Sequence, residues 1–448
     1  MIIILRPMHL TKLTIYFLAL LSIASCSRNT RLDRLLEQAS PYEKYLQRLE
    51  KHELDQTALG RDWIEAGQQS LQDSLLVTLP YQETTYFSPE APQALSLRYR
   101  VQEGQQVYVK LKALSQPEAQ IFINIFEAHA DSSLHSLHHA DSLPQLRYEV
   151  ESHGWHLLRI QPELLRGGAY TLEVGFQPSL DFPVSGKDSR AVQSFFGAPR
   201  DGGSRSHRGI DIFAPRGTPV LAVADGIVSR RTSSGRGGKV VWLSSPKKRF
   251  NLYYAHLDSQ MVEPGQRVQV GDTLGFVGNT GNARTTPPHL HFSIYRFGSG
   301  AVDPFPFVHA LAETEPLLAA DPAEIGVLAR TSASLANVRH APNLKSAIIG
   351  DFPRHTWLKI EGKSGNWFRV ALPNRQKAYI HQSLVEPLHE PLEELDIRQE
   401  DKVLFAEDYA GKAVDEGWLY GPVKVLAFFD SAKYIRSEKG FSGWIKGA

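Results

Sequence analysis

The chain has 448 residues, 42% of them hydrophobic and 22% charged, with a formal net charge of +1 and a single cysteine. That length exceeds one small domain and suits about three domains of roughly 150 residues. One thiol excludes an internal disulfide framework, and a single continuously apolar segment excludes a polytopic membrane protein. The strong basic excess usual in a nucleic-acid binder is also missing, so no nucleic-acid partner is expected. The charge is uneven, however. Residues 191–307 hold 14 Lys/Arg against 7 Asp/Glu, a local +7 inside a near-neutral chain. Such a basic segment fits a carboxylate-rich partner.

The apolar run LTIYFLALLSIA covers residues 13–24 and follows Arg6 and Lys12. It matches the core of a secretory signal and is too short to span a bilayer. It closes in Ile23-Ala24-Ser25-Cys26, and Cys26 is the only cysteine in the chain. This segment resembles the lipobox of bacterial lipoproteins. The resemblance implies that residues 1–25 are a cleaved signal peptide and that Cys26 becomes an acylated anchor in a lipid bilayer. Several acyl chains on one residue would give lasting attachment. Ser27, where an aspartate would favour retention at the inner membrane, implies the outer membrane facing the periplasm.

Residues 26–75 are polar with leucines at three- and four-residue spacing and a break at Ser40-Pro41, which predicts a short helical stalk. Over 76–180 the period becomes two, as in LSLRYRV, QQVYVKLKAL and IFINIFE, with Gly, Pro and Ser between the runs. That pattern predicts a β-sandwich, and it is similar to the bacterial pre-peptidase C-terminal domain. His129, His135, His138 and His139 fall in an Ala/Asp/Ser-rich stretch expected to be a solvated loop, with His153 and His156 nearby.

The chemistry is concentrated further on. In SHRGIDIFAPRGTPV, His207 and Asp211 are four apart, but the Gly and Pro content places them on a turn entering a strand. Gly209 permits close approach of another backbone. In PPHLHFSIY, strict alternation sends His289, His291, Ser293 and Tyr295 to one face and Leu290, Phe292 and Ile294 to the other. A rigid strand can thus present paired imidazoles while its apolar face sits in a core. His256, in YAHL, lies between these two segments.

In order, FGAPR, HRGID, DGIV, YAHL, EPGQRVQVGDTLGFVGNTG and PHLHF resemble the lysostaphin/LytM-like zinc metallopeptidases, which cleave peptides of bacterial cell walls. The resemblance covers about residues 195–306 and implies a peptidase domain over 190–308 of antiparallel β structure. It implies one zinc ion held by His207, Asp211 and His291, a donor set that leaves a fourth position for water. His256 and His289 would be the unligated catalytic pair. Two departures from the family pattern, the loop Asn282 to Pro287 and Ser293, are expected to touch no ligand and to affect substrate preference.

Residues 325–388 carry strands with tight Gly, Pro and Asn turns, and Asn337-Val338-Arg339, Gly365-Asn366-Trp367 and Tyr379-Ile380 are similar to bacterial SH3-like domains. Trp357, Trp367, Phe368 and Tyr379 are divided between lining a groove and filling the barrel. Residues 395–448, ending in Gly440-Phe441-Ser442-Gly443-Trp444-Ile445, read as a second SH3-like module.

The sequence therefore predicts a mainly β, multidomain protein with a short helical N-terminal stalk. Its expected function is that of a membrane-anchored zinc endopeptidase of peptidoglycan cross-links or stems in the bacterial cell envelope, with wall or divisome proteins as further partners. The alternative is a non-catalytic wall-binding scaffold or amidase activator, and a weaker one is an endopeptidase of glycine-rich secreted or host proteins.

Overall fold

The computed structural model describes residues 39–114, 119–140, 145–311, 320–374, 376–397, 403–404, 416–417 and 421–445. The expected signal segment and Cys26 lie outside the described residues. The fold is mainly β. Among the described residues, no helix is long and apolar enough to cross a membrane.

Two helices open the described chain, α1 (Pro41–Lys51) and α2 (Ala58–Gln72). The Ser40-Pro41 break is a helix start: Ser40 caps α1 in a reciprocal box with Glu43, and Pro41 takes the first turn, where its missing N–H costs nothing. Neither helix stands off as a stalk. Tyr42, Tyr45 and Trp63 form an aromatic cluster with Phe122, and Trp63 Nε1 donates to the Pro162 carbonyl at 2.8 Å. The apolar helix faces need a surface to cover, and the adjoining sheet supplies it.

That sheet belongs to eight strands: β1 (Tyr81–Phe87), β2 (Leu95–Val101), β3 (Gln105–Ala113), β4 (Ile121–Ala128), β5 (Leu134–Ala140), β6 (Gln145–Glu149), β7 (Gly154–Pro162) and β8 (Gly168–Pro178). One layer runs β2-β7-β4-β5 and the other β1-β8-β3-β6. Alternating residues such as Leu97, Tyr99, Val107, Val109, Ile123, Ile125, Leu172 and Val174 close the core between them. His135, His138 and His139 are on strand β5, not in a loop. His156, on β7, is buried, and its Nδ1 lies 2.8 Å from Tyr148 Oη.

The next sheet is built from β9 (Val192–Ser194), β10 (Ile210–Phe213), β11 (Gly226–Thr232), β12 (Lys239–Ser245), β13 (Phe250–Gln260), β14 (Thr273–Val277) and β15 (His289–Arg296), with shorter strands. Its order is β9-β10-β15-β13-β12-β11. Leu290, Phe292 and Ile294 are fully buried with Ile210, Ile212, Leu252 and Tyr254, which fixes the opposite face of β15 toward the site. The sandwich grips this domain at the Arg296 end of β15. Arg296 pairs with Glu103, Lys248 Nζ meets Glu149 Oε2 at 2.7 Å, and the Phe307 ring covers Gly104.

The C-terminal region begins with a barrel of β16 (Leu328–Thr331), β17 (Leu335–Arg339), β18 (Ile348–Pro353), β19 (Trp357–Ser364), β20 (Trp367–Ala371) and β21 (Lys377–His381). The barrel is not a separate bead. Strand β19 pairs with β1 through Thr84↔Lys363 and Thr85↔Gly362, so one sheet runs through barrel and sandwich. At the seam, Arg369 Nε contacts both Glu83 carboxylate oxygens at 3.0 and 3.1 Å, and its Nη1 meets Glu361 Oε2 at 2.5 Å. Trp357, Phe368 and Tyr379 are core residues; Trp367 instead lines a groove of about 520 Å³ with Pro80, Pro342, Leu344 and His381. The last described strands, β22 (Glu393–Ile397), β23 (Gly421–Phe429), β24 (Ala432–Ser437) and β25 (Ser442–Ile445), form a further sheet. It packs on the barrel through Trp357, Tyr434 and Trp444.

Candidate active site

Strand register brings the predicted residues together. On neighbouring strands Asp211 stands opposite His291, and Ala255 flanks His291 on the other side, so β13 delivers His256 beside it. His207 precedes β10 on a turn whose backbone is pinned by His207 N donating to the Ala198 carbonyl at 2.8 Å. The turn lies against β15 because residue 209 is glycine: a Cβ there would come within 2.3 Å of the Phe292 carbonyl oxygen.

His207 Nε2, His291 Nδ1 and Asp211 Oδ1 form a triangle. Its edges are 2.9 Å between the two nitrogens, 3.0 Å from His207 to Asp211 and 2.8 Å from His291 to Asp211. His207 and Asp211 are buried and His291 half-buried. Burial alone would raise the Asp211 carboxyl, but hydrogen bonds from His207 and His291 outweigh it and hold the group far below the usual carboxylate range. Burial pushes the His291 imidazole down despite the opposing pull of Asp211.

The outer nitrogens of both rings are also engaged. His207 Nδ1 donates to the Phe195 carbonyl at 2.9 Å, and His291 Nε2 is 2.9 Å from Ser293 Oγ. Ser293, expected to touch no ligand candidate, thus braces His291 directly. Its place two residues along the same strand face was the available signal. With the outer nitrogens engaged, the inner ones face one another and the Asp211 carboxylate, where a cation could take the place of the protons they share. Two imidazoles and one carboxylate converging in this way fit a divalent first-row metal ion, for which tetrahedral ligand atoms lie about 3.3 Å apart.

His256 and His289 lie beside the triangle, with ring centres 5.1 Å apart; His256 is 5.9 Å from the His291 ring. His256 Nδ1 donates to the Thr280 carbonyl at 2.8 Å and His289 Nδ1 to the Pro287 carbonyl at 2.9 Å, which leaves each Nε2 as the basic nitrogen. His256 has φ +62°, a left-handed conformation costly for a residue with a Cβ. Burial, reinforced by His291 and His289, pushes the His256 imidazole down to about 4. His289 is held by stacking on Phe213, with centroids 5.0 Å apart.

Residues 205–304, which contain all five of these side chains, match the model of peptidase family M23. The chain carries an M23 peptidase domain. Residues 334–386 match the bacterial SH3 domain. The M23 domain is 38% identical over 112 residues to the peptidoglycan DD-endopeptidase ShyC of Vibrio cholerae serotype O1, covering 23% of this chain and 24% of that protein. It is also similar to the L-Ala--D-Glu endopeptidase of Bacillus subtilis, at 31% identity over 140 residues, 29% of this chain and 43% of that protein. Among solved structures, the catalytic domain of lysostaphin from Staphylococcus simulans matches at 30% identity and a TM-score of 0.25, covering 27% of this chain and 94% of that one. The chain thus spans less than half the length of these two curated relatives. M23 is a peptidase family, and the matched residues include the candidate metal-holding group His207, Asp211 and His291.

Proposed function

We propose that this protein is a zinc-dependent endopeptidase that hydrolyses peptide bonds in peptidoglycan cross-links or stems, with His207, Asp211 and His291 as the metal ligands. The observation that carries the reading is the triangle of three donors with two unligated histidines beside it. The peptidoglycan endopeptidases among its relatives support the substrate class.

Zinc bound there would lower the pKa of a coordinated water from 15.7 to about 7 and polarise the scissile carbonyl. His256 and His289, fixed by the Thr280 and Pro287 carbonyls, hold their Nε2 atoms ready for proton transfer. Between them they take the proton from the attacking water, stabilise the oxyanion and return a proton to the leaving amine. His256 and His289 are themselves buried.

The reading extends to an acylated Cys26 that tethers the protein to the outer membrane facing the periplasm, and to wall recognition by the accessory modules. The lone cysteine closing an apolar run supports the tether.

Mass spectrometry of fragments released from defined cross-linked wall peptides by the zinc-loaded full chain tests the activity. The parent is expected to release peptides and His291→Ala to release none. A parent that binds the wall yet frees no fragment would replace this reading with the non-catalytic scaffold. Detergent-phase partitioning tests the tether: the parent should enter the detergent phase and Cys26→Ala the aqueous one.

A further inference from the structure

The FGAPR segment ahead of His207 ends in Arg200. Arg200 pairs across a two-residue ladder with Arg205, and the same turn is pinned by the His207 backbone, so its side chain is delivered in register with the chain that bears His207. Its Nη2 donates to Ser194 Oγ at 2.6 Å and to Asp211 Oδ2 at 2.6 Å. Ser194 lies opposite Asp211 in the β9–β10 ladder. The two oxygens of Asp211 therefore face different partners. Oδ1 closes the triangle with His207 and His291, while Oδ2 is held outside it by the guanidinium.

We propose that Arg200 is a positioning residue that confines Asp211 to a single oxygen donor toward the metal ion. The inference rests on the reading of His207, Asp211 and His291 as ligands. A carboxylate with both oxygens free can chelate a divalent cation through the pair, as bidentate carboxylates do in calcium sites. A charge-assisted N–H bond on one oxygen competes with that mode and fixes the plane of the carboxylate. Keeping Asp211 monodentate keeps the coordination number low and leaves open positions for water and the scissile carbonyl. Groups that orient a ligand in this way are typically worth a factor of ten to a hundred in metal affinity.

The test replaces the ion with Co²⁺ in the full chain and compares the parent with R200A, R200Q, R200K and R205A. It reads the visible Co²⁺ absorption, the dissociation constant against a competing chelator, circular dichroism for the fold, and kcat separately from KM. R200A and R200Q should show a weaker absorption band, as higher coordination numbers give, and roughly 10- to 100-fold weaker ion binding. Their kcat should fall while KM changes little, and R200K should recover part of the band and of the affinity. R200Q carries the comparison if R200A fails to fold. R205A removes a neighbouring guanidinium that pairs with Asp201 and should fall close to the parent.

A parental band and affinity in folded R200A or R200Q would overturn the proposal, and so would an R205A effect as large as that of R200A. A parent that binds Co²⁺ but cleaves no wall peptide would sink the proposed function while leaving the spectra to decide this one.

Discussion

His207 Nε2 lies 2.9 Å from His291 Nδ1, and the far nitrogen of each ring is already engaged, one with the Phe195 carbonyl and the other with Ser293 Oγ. A cation in the triangle would take the place of the protons that these nitrogens share with one another and with Asp211, and would engage all three donors at once. A bound ion should therefore stabilise the M23 domain by mass action. With free ion at a thousand times its dissociation constant the gain is about 4 kcal/mol. Calorimetry with and without a chelator checks this: chelation should lower the parent's unfolding midpoint and leave that of His291→Ala unchanged.

His256 and His289 should separate from the ligands by metal content. His256→Ala and His289→Ala should each lower kcat by roughly 10²–10⁴-fold, the usual weight of a general acid or base. They should retain a full complement of ion by elemental analysis, whereas His207→Ala should not. Loss of metal in His256→Ala would move that residue into the ligand set.

Gly209→Ala should damage the site without touching a donor. The added Cβ would meet the Phe292 carbonyl oxygen at 2.3 Å and Ser293 Oγ at 2.5 Å, both backed by a buried strand. Overpacking of this kind costs about 1–3 kcal/mol and should also prise the His207 turn from β15. Denaturant unfolding and ion affinity should fall together in this variant.

His156 gives the sandwich a pH dependence. Burial holds its imidazole at about 4, against an ordinary value of about 6.5, so the unfolded chain binds the proton more readily. Its contribution is intact above pH 6.5 and is lost as pH falls from 6.5 toward 4, by roughly 3 kcal/mol in all. Urea unfolding at pH 7.5 and pH 5 should show the loss, and His156→Gln should flatten the slope between those two values.

The seam between sandwich and barrel should behave as one cooperative unit. Arg369→Met would leave the buried Glu83 carboxylate without its cation and take one from Glu361, which keeps Lys377, and should cost about 3–5 kcal/mol. Tryptophan fluorescence and far-UV circular dichroism should then shift to lower denaturant in parallel. A barrel that melts alone would contradict the continuous sheet.

The clustering of the five candidate residues was legible in the sequence because each part is local. Period-two alternation put His289 and His291 on one face of a strand, and Gly209 marked a close backbone approach before any partner was known. What escaped notice depended on long-range pairing. Thr85 and Gly362 are 277 positions apart and meet only because β1 and β19 share a ladder, which no local pattern encodes. The packing of α1 and α2 is long-range in the same way: their leucine and aromatic spacing predicts an apolar face but not the Phe122 surface that receives it. Ser293 and Arg200 were visible as letters in motifs, yet their roles come from the atoms they touch.

The ladder between β1 and β19 also changes the topological standing of the M23 domain. Sandwich and barrel are parts of one body that the chain leaves after β8 and rejoins at β16. At the point of departure and return, Leu180 N donates to the Phe307 carbonyl at 2.9 Å. The M23 domain is thus an insertion clasped at its neck. A single proteolytic nick on either side of it would leave it attached, and excising it at that neck would leave two ends already close enough to join.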